Sequence, residues 1–145
     1  MSVRGRSLPD APTCARAVRS YVALMRPGQL EINPAPLGDV PGLALAGEVD
    51  IAVAKQVEAA LDDGIRESTG AFVLDLCDLE FLDSSGVSLI LRARALLGRE
   101  ERELVIVCAP GPVHRLFEMT GVLELLALFP SREAAAEALV PADRS

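Results

Sequence analysis

Two short segments of almost continuous apolar residues, 71–77 and 104–108, place the strongest constraint on the fold of this chain. Each has the length of a β-strand, and a strand that is apolar along its whole length is typical of a sheet covered on both faces. Between them, residues 84–97 carry apolar side chains at helical spacing. A strand, a helix and a second strand in this order form a parallel pair with a crossover, so the sequence predicts an α/β domain.

The flanking segments extend the pattern to the order β-β-α-β-α-β-α-β-α. We expect a mostly parallel central sheet, with an antiparallel pair of strands at its start. The predicted strands are 30–32, 42–47, 71–77, 104–108 and 125–129, and the predicted helices are 50–64, 84–97, 112–120 and 132–139. Asp50 is the predicted N-cap of the first helix, Gly98 follows the second, and Pro112 and Gly121 bracket the third.

The chain of 145 residues fits one domain, which we place at residues 29–141 between a flexible leader (1–28) and a short tail (142–145). Residues 1–26 carry five arginines and one aspartate, whereas the rest carries 9 basic and 20 acidic residues. The acidic body argues against nucleic acid and favours a basic protein partner. The leader is interpreted as a solvated arm, and contact with nucleic acid or anionic lipid is the alternative reading of its arginines.

The three cysteines, Cys14, Cys77 and Cys108, form no Cys-x-x-Cys pair, and His114 is the only histidine. Too few ligands remain for a zinc site, so Cys77 and Cys108 are predicted to be buried free thiols. Reduced cysteines and the lack of a signal peptide point to the cytoplasm. No apolar run reaches the 18 residues that a membrane span needs.

Asp83-Ser84-Ser85-Gly86 follows the first apolar strand and opens the second helix, where Asp and Ser are good caps. On its own this tetrapeptide predicts a capped helix start. A nucleophilic serine would need His114 as its base, and the chain has neither a Gly-x-Ser-x-Gly elbow nor a phosphate-binding glycine loop. We therefore expect a binding protein that is not an enzyme, with no catalytic residues and no cofactor.

Three motifs together resemble the STAS family, the anti-sigma factor antagonists of bacteria. Gly47-Glu48-Val49-Asp50 is similar to the family's Gly-Glu-hydrophobic-Asp, and residues 81–87 resemble its phosphorylation loop. Residues 112–121 resemble its third helix and the glycine that follows. The likeness covers about residues 30–140 in order and spacing, although Ile51-Ala52-Val53 lacks the hydroxyl residue often found near that helix start.

The resemblance implies a cytoplasmic protein that binds an anti-sigma factor with serine kinase activity and so releases a sigma factor. It implies phosphorylation of Ser84, which ends the partnership, and a serine phosphatase that reverses it. Ser85 is expected to be structural, with a lesser role as acceptor. ATP and Mg²⁺ belong to the partner kinase. The expected partner-binding residues are Asp50, Asp83, Ser84, Ser85 and Gly86.

Binding to nucleic acid or membrane is not expected, and the chain is expected to be a monomer or a weak homodimer. The alternative function is a non-switching STAS assembly module, of the stressosome type or as a subunit of a lipid transporter. A phosphate on Ser84 is expected to leave the fold intact, with free helix N–H groups partly stabilising it and Asp83 opposing it. Asp75 is predicted to face solvent, and Phe117 and Met119 to lie in the core.

Overall fold

The computed structural model describes residues 30–144 of the chain, with side chains through residue 139. The strands are β1 (Glu31–Pro34), β2 (Gly42–Val49), β3 (Phe72–Asp75), β4 (Leu79–Leu82), β5 (Leu104–Val107) and β6 (Ala127–Phe129). The helices are α1 (Ala54–Arg66), α2 (Ser84–Gly98), α3 (Pro112–Thr120) and α4 (Arg132–Arg144), and a 3-10 turn spans Leu123–Leu125.

The sheet has the order β1-β2-β3-β5-β6, and β4 pairs with the second half of β2. Strand β1 is antiparallel to β2, and every other pair in the described residues is parallel. The predicted α/β class and the antiparallel opening pair are therefore confirmed. The predicted element order is one strand short, because β4 occupies a segment that was expected to be a loop.

Strand β2 changes its partner along its length. Residues 42–44 pair with β3, Gly47–Val49 pair with β4, and the β4 pairing has an irregularity between Gly47 and Glu48. Gly47 has φ of 98°, a conformation that residues with a Cβ rarely adopt, and its N–H donates to the Asp78 carbonyl at 3.2 Å. The last residues of β2 consequently lie beside the end of β4.

The two apolar strands β3 and β5 are buried on both faces, as their composition predicts. Phe72, Leu74, Leu104 and Ile106 join the core under α1, α2 and α3, whereas Val73, Val105, Val107 and Ala135 form a second cluster under α4. The alternation along each strand assigns three helices to one face of the sheet and α4 to the other. The apolar residues of β3 and β5 therefore contribute alternately to two separate apolar clusters, one on each face of the sheet.

The helix ends agree only in part with the sequence-based prediction. Pro112 begins α3, and Gly121 ends it with φ of 80°. Asp50 is not the cap of α1: its carboxylate accepts the Ala52 N–H at 3.0 Å within a preceding turn, and the helix begins after Val53. Gly98 is the last residue of α2 instead of following it.

Asp75 is buried, contrary to the prediction of a solvent-facing residue. It is 2 % exposed and accepts a hydrogen bond from Arg132, at the start of α4, at 2.8 Å. Arg132 also donates to the Pro36 carbonyl at 2.6 Å. Phe117 lies in the core as predicted, but Met119 is 77 % exposed, so that prediction is wrong.

The two cysteines of the described residues differ in state. Cys108 is a free, buried thiol, and its pKa is raised to about 11 by burial and by the nearby Asp75 carboxylate. Cys77 is half-buried and disulfide-bonded, so the prediction of a free thiol is wrong there. The predicted leader lies outside the described residues, and the domain limits 29–141 stay a prediction.

Within residues 30–144, none of the helices combines the length and the apolar character that crossing a membrane requires.

Candidate functional site

The first turn of α2 is held by the side chain of Asp83. Its Oδ1 accepts the N–H of Ser85 at 3.0 Å and the N–H of Gly86 at 3.2 Å, while its carbonyl accepts the N–H of Val87. Asp83 is thus the N-cap and satisfies two of the N–H groups that the helix start leaves open.

The two serines of the predicted phosphorylation loop differ in exposure and in bonding. The Ser85 hydroxyl donates to Asp83 Oδ1 at 2.6 Å, and the residue is half-buried. Ser84 is exposed, and no hydrogen bond joins its hydroxyl to another described residue. The Ser84 hydroxyl is therefore accessible, whereas the Ser85 hydroxyl is hydrogen-bonded to Asp83.

The segment after β2 lies against the same helix start. Leu82 pairs with Val49, and the Asp83 N–H donates to the Val49 carbonyl at 3.2 Å. The backbone of Ile51 also contributes to lowering the pKa of the Asp83 carboxylate. The structure thus brings the backbone around Asp50 next to Asp83, as the sequence motifs predict.

Gly86 allows α2 to approach the strands closely. A Cβ at this position would collide with the Leu82 side chain, lying 2.9 Å from its Cγ, and would lie 3.2 Å from Val49 Cγ1. The start of α2 therefore packs directly against the Leu82 side chain of β4 and the Val49 side chain of β2. The need for glycine is therefore a packing requirement, since its φ is not positive.

Replacing Gly86 with alanine is expected to lower the free energy of unfolding by about 1–3 kcal/mol, because overpacking a filled core forces its neighbours apart. Gly98→Ala is the matched control on the same helix, since a Cβ at that position would meet no atom within 4 Å. That control is expected to gain up to about 1 kcal/mol from helix propensity. Urea unfolding of both variants gives the comparison, and equal stability of the two would contradict the packing argument.

The surroundings of Ser84 are acidic. Residues 47–54 and 78–91 include Glu48, Asp50 and Asp83 and contain no Lys or Arg. The hydrogen bond from the Ser85 hydroxyl is the main cause that lowers the pKa of Asp83, partial burial opposes it, and backbone N–H groups add to the lowering. Asp83 therefore stays ionised at neutral pH, next to the hydroxyl of Ser84.

Two exposed apolar side chains near the site are features that the sequence analysis did not identify. Ile51 is 78 % exposed and Phe81 is 48 % exposed. Ile51 was expected in the first turn of a helix, whereas the structure places it in the turn before α1. Phe81 lies in a segment predicted to be a loop, and only the pairing of β4 with Glu48 reveals its position.

Other chemistry is not supported by the geometry of this region. Within the part of the chain that the structure describes, no group of three His, Cys, Asp or Glu side chains is arranged to hold a metal ion. His114 lies on α3 and is half-buried, and no hydrogen bond joins it to Ser84 or Ser85 among the described residues. The geometry therefore shows Ser84 as an exposed side chain on the first residue of α2.

The structure therefore defines a mixed α/β domain with an exposed serine at a helix start, next to the end of β2. The family model described as STAS domain matches residues 36–135. The chain therefore belongs to the STAS domain family, as its three motifs suggested.

Known proteins similar to this chain include anti-sigma factor antagonists. The anti-sigma F factor antagonist of Paenibacillus polymyxa is 33% identical over 86 residues, which cover 59% of this chain and 74% of that protein. The crystal structure of an anti-sigma factor antagonist from Mycobacterium paratuberculosis has a TM-score of 0.71 at 26% identity, covering 78% of this chain and 96% of that one.

The structure of the Bacillus cell fate determinant SpoIIAA in the phosphorylated form is similar in fold alone, with a TM-score of 0.56 at 21% identity. The match covers 76% of this chain and 99% of that one. The relatives' names describe regulatory proteins. None of these comparisons tests the individual site residues, so the roles of Asp50, Asp83, Ser84, Ser85 and Gly86 stay predictions.

Proposed function

We propose that this chain is an anti-sigma factor antagonist switched by phosphorylation of Ser84. Unphosphorylated, it binds an anti-sigma factor with serine kinase activity, and the sigma factor is released for transcription. The kinase transfers phosphate from its own Mg²⁺-bound ATP to Ser84, which ends the binding, and a serine phosphatase restores the binding form. The chain itself needs no cofactor in this scheme.

The observation that carries the proposal is the exposed Ser84 hydroxyl at the start of α2, free of hydrogen bonds to other described residues. A kinase needs an acceptor hydroxyl that it can reach and orient, because phosphoryl transfer depends mainly on positioning. The antagonist names of the relatives support the same function.

The partner surface is proposed to comprise acidic and apolar parts around Ser84. Asp50 and Asp83 supply negative charge, and Ile51 and Phe81 supply exposed apolar area. Complementary charge speeds and orients association, whereas apolar anchors near the centre of an interface contribute most of the affinity. A partner with a basic rim around an apolar depression fits this surface.

A pull-down from the native cell tests the function, with wild type, Ser84→Ala and Ser84→Asp as baits. Wild type and Ser84→Ala are expected to recover a serine kinase that phosphorylates the wild type when ATP is added, and Ser84→Asp is expected to recover little of it. Recovery of a transporter ATPase by all three baits, with no kinase, would instead support the constitutive assembly module.

Ile51→Ala is expected to raise the Kd for the recovered kinase about tenfold or more, because truncation of a central apolar anchor costs more than about 1 kcal/mol. Leu125→Ala is the matched control: this residue is 49 % exposed and lies near Gly98, toward the other end of α2 from Ser84. Its Kd is expected to change less than about twofold. Titration calorimetry measures both, and equal effects would remove Ile51 from the proposed surface.

We propose the cytoplasm as the location, because the kinase uses ATP and the sigma factor acts on transcription. The disulfide at Cys77 weighs against a reducing compartment, where such bonds are rare. Alkylation of the protein in intact cells, followed by mass spectrometry of the Cys77 peptide, shows whether Cys77 is a reduced thiol or part of a disulfide in the cell. A reduced Cys77 in the cell agrees with the proposed location.

A further inference from the structure

We propose that Asp83 determines which of the two adjacent serines receives phosphate, by holding the Ser85 hydroxyl so that Ser84 alone is available. This inference rests on the proposed function, since it assumes a kinase that acts at this loop. It assigns Asp83 a role in acceptor selection in addition to its cap of α2.

The hydrogen bond between Ser85 and Asp83 is short and assisted by charge. The hydroxyl donates to Oδ1 at 2.6 Å, a distance typical of an O–H donor bonded to a carboxylate. The backbone N–H of Ser85 donates to the same oxygen at 3.0 Å. Main chain and side chain of Ser85 thus bind the same atom, and presenting its hydroxyl to a kinase would break one of these bonds.

Ser84 carries no such restraint. It is exposed, and its hydroxyl has no hydrogen-bond partner among the described residues. It is the first residue of α2 and directly follows the Asp83 cap, so its backbone has a defined position. The helix start therefore presents Ser84 in a defined position and leaves its hydroxyl available.

The carboxylate of Asp83 is a poor activator of the hydroxyl that it binds. Oδ1 also accepts the N–H of Gly86 at 3.2 Å, and these bonds hold the pKa of Asp83 below its usual value. A carboxylate stabilised in its ionised form is a weaker base. The short hydrogen bond consequently holds the Ser85 hydroxyl in place and does not activate it as a nucleophile toward the phosphate of ATP.

The transfer itself takes place at the partner. The acceptor oxygen of Ser84 forms a bond to the γ-phosphorus of the kinase's Mg²⁺-bound ATP, and the bond from that phosphorus to the bridging oxygen of ADP breaks. The hydroxyl proton passes to a base of the kinase. At Ser85 the same proton lies in the hydrogen bond to Asp83, and a new phosphate would stand against the Asp83 carboxylate.

The test measures the ratio of phosphate on Ser85 to phosphate on Ser84 within one protein preparation. The kinase recovered in the pull-down phosphorylates wild type, Asp83→Asn and Asp83→Gly, and peptide fragmentation assigns the site. Ser84→Ala and Ser85→Ala supply the two reference peptides. Both serines meet the same bound kinase, so a change of kinase affinity in the variants does not alter the ratio.

The ratio is expected to rise about tenfold to a hundredfold in Asp83→Gly, which is the factor that loss of one charge-assisted hydrogen bond predicts. A smaller rise is expected in Asp83→Asn, whose amide oxygen can still accept the Ser85 hydroxyl but carries no charge. Asparagine and glycine are both tolerated as N-caps, so α2 is expected to remain formed. Arg132→Ala, a destabilised variant remote from the site, is expected to keep the wild-type ratio and so excludes a general effect of instability.

An unchanged ratio in both Asp83 variants, or equal phosphate on both serines in the wild type, would overturn the inference while the proposed function stands. If the kinase phosphorylates neither serine of the wild type, the proposed function fails and the inference fails with it. The two failures are therefore distinguishable in a single experiment.

Discussion

Phosphorylation of Ser84 is expected to weaken binding of the anti-sigma partner by about 30-fold to several-thousand-fold and to leave the domain folded. Phosphate adds about −1.5 to −2 charge at an exposed position. The range corresponds to about 2–5 kcal/mol, the cost of a desolvated charge without a partner in an interface.

The site offers the phosphate little stabilisation of its own. Asp83 already accepts the N–H groups of Ser85 and Gly86, so the helix start has fewer free donors than the sequence suggested. The two segments that form the loop region, 47–54 and 78–91, contain no Lys or Arg. The added charge therefore remains uncompensated on the surface that the partner must cover.

Titration calorimetry of the phosphorylated and unphosphorylated proteins measures this effect, and thermal unfolding checks the fold. Ser84→Asp and Ser84→Asn form a matched pair, nearly equal in shape and different in charge. We expect the Asp variant to lose affinity and the Asn variant to bind within about tenfold of the wild type. Similar Kd values for the pair would show that bulk and not charge operates the switch.

The strands and the class of fold were predictable because their signal is local. Apart from Asp75, each of β3 and β5 consists of apolar residues that alternate between two buried clusters, so their strand character is visible without knowledge of their neighbours. Strand β4 was not predictable in this way. It has four residues, of which Glu80 and Phe81 are exposed, and it is a strand through its pairing with residues 47–49 at the end of β2.

The candidate site was predictable as a loop but not as a set of contacts. The family resemblance gave Asp50 and Asp83 as partner-binding residues, and the pairing of Val49 with Leu82 brings their backbones close together. Sequence did not show that Oδ1 of Asp83 binds the Ser85 hydroxyl, because two adjacent serines are chemically identical until the backbone orients them. The exposed position of Ile51 likewise depends on the turn that precedes α1.

Arg132→Ala is expected to lower the free energy of unfolding by about 3–5 kcal/mol, the largest loss of stability that we predict for a single charged residue. Asp75 is 2 % exposed, and after the substitution its carboxylate keeps only the Cys77 N–H, at 3.0 Å, among the hydrogen bonds described. The Pro36 carbonyl loses its donor as well. This contact was beyond sequence analysis, because 57 residues separate Arg132 from Asp75.

Arg92→Ala is the matched control, since Arg92 also binds a carboxylate, that of Asp62, at 2.7 Å. Its side chain is 42% exposed and that of Asp62 27%, so water replaces the lost contact and the expected loss of stability is much smaller than for Arg132→Ala. Urea unfolding of both variants measures the difference. Equal losses would show that the Arg132–Asp75 pair behaves as a surface ion pair despite its burial.

The double variant Asp75→Asn/Arg132→Ala separates the charge from the packing. If the cost of Arg132→Ala comes from an uncompensated buried carboxylate, removing that charge is expected to recover a large part of the loss. Helix α4 packs on the face of the sheet opposite α1, α2 and α3, and Ser84 begins α2. We therefore expect the folded Arg132→Ala protein to bind the kinase with the wild-type Kd. The substitution would lower the free energy of unfolding without changing the surface around Ser84.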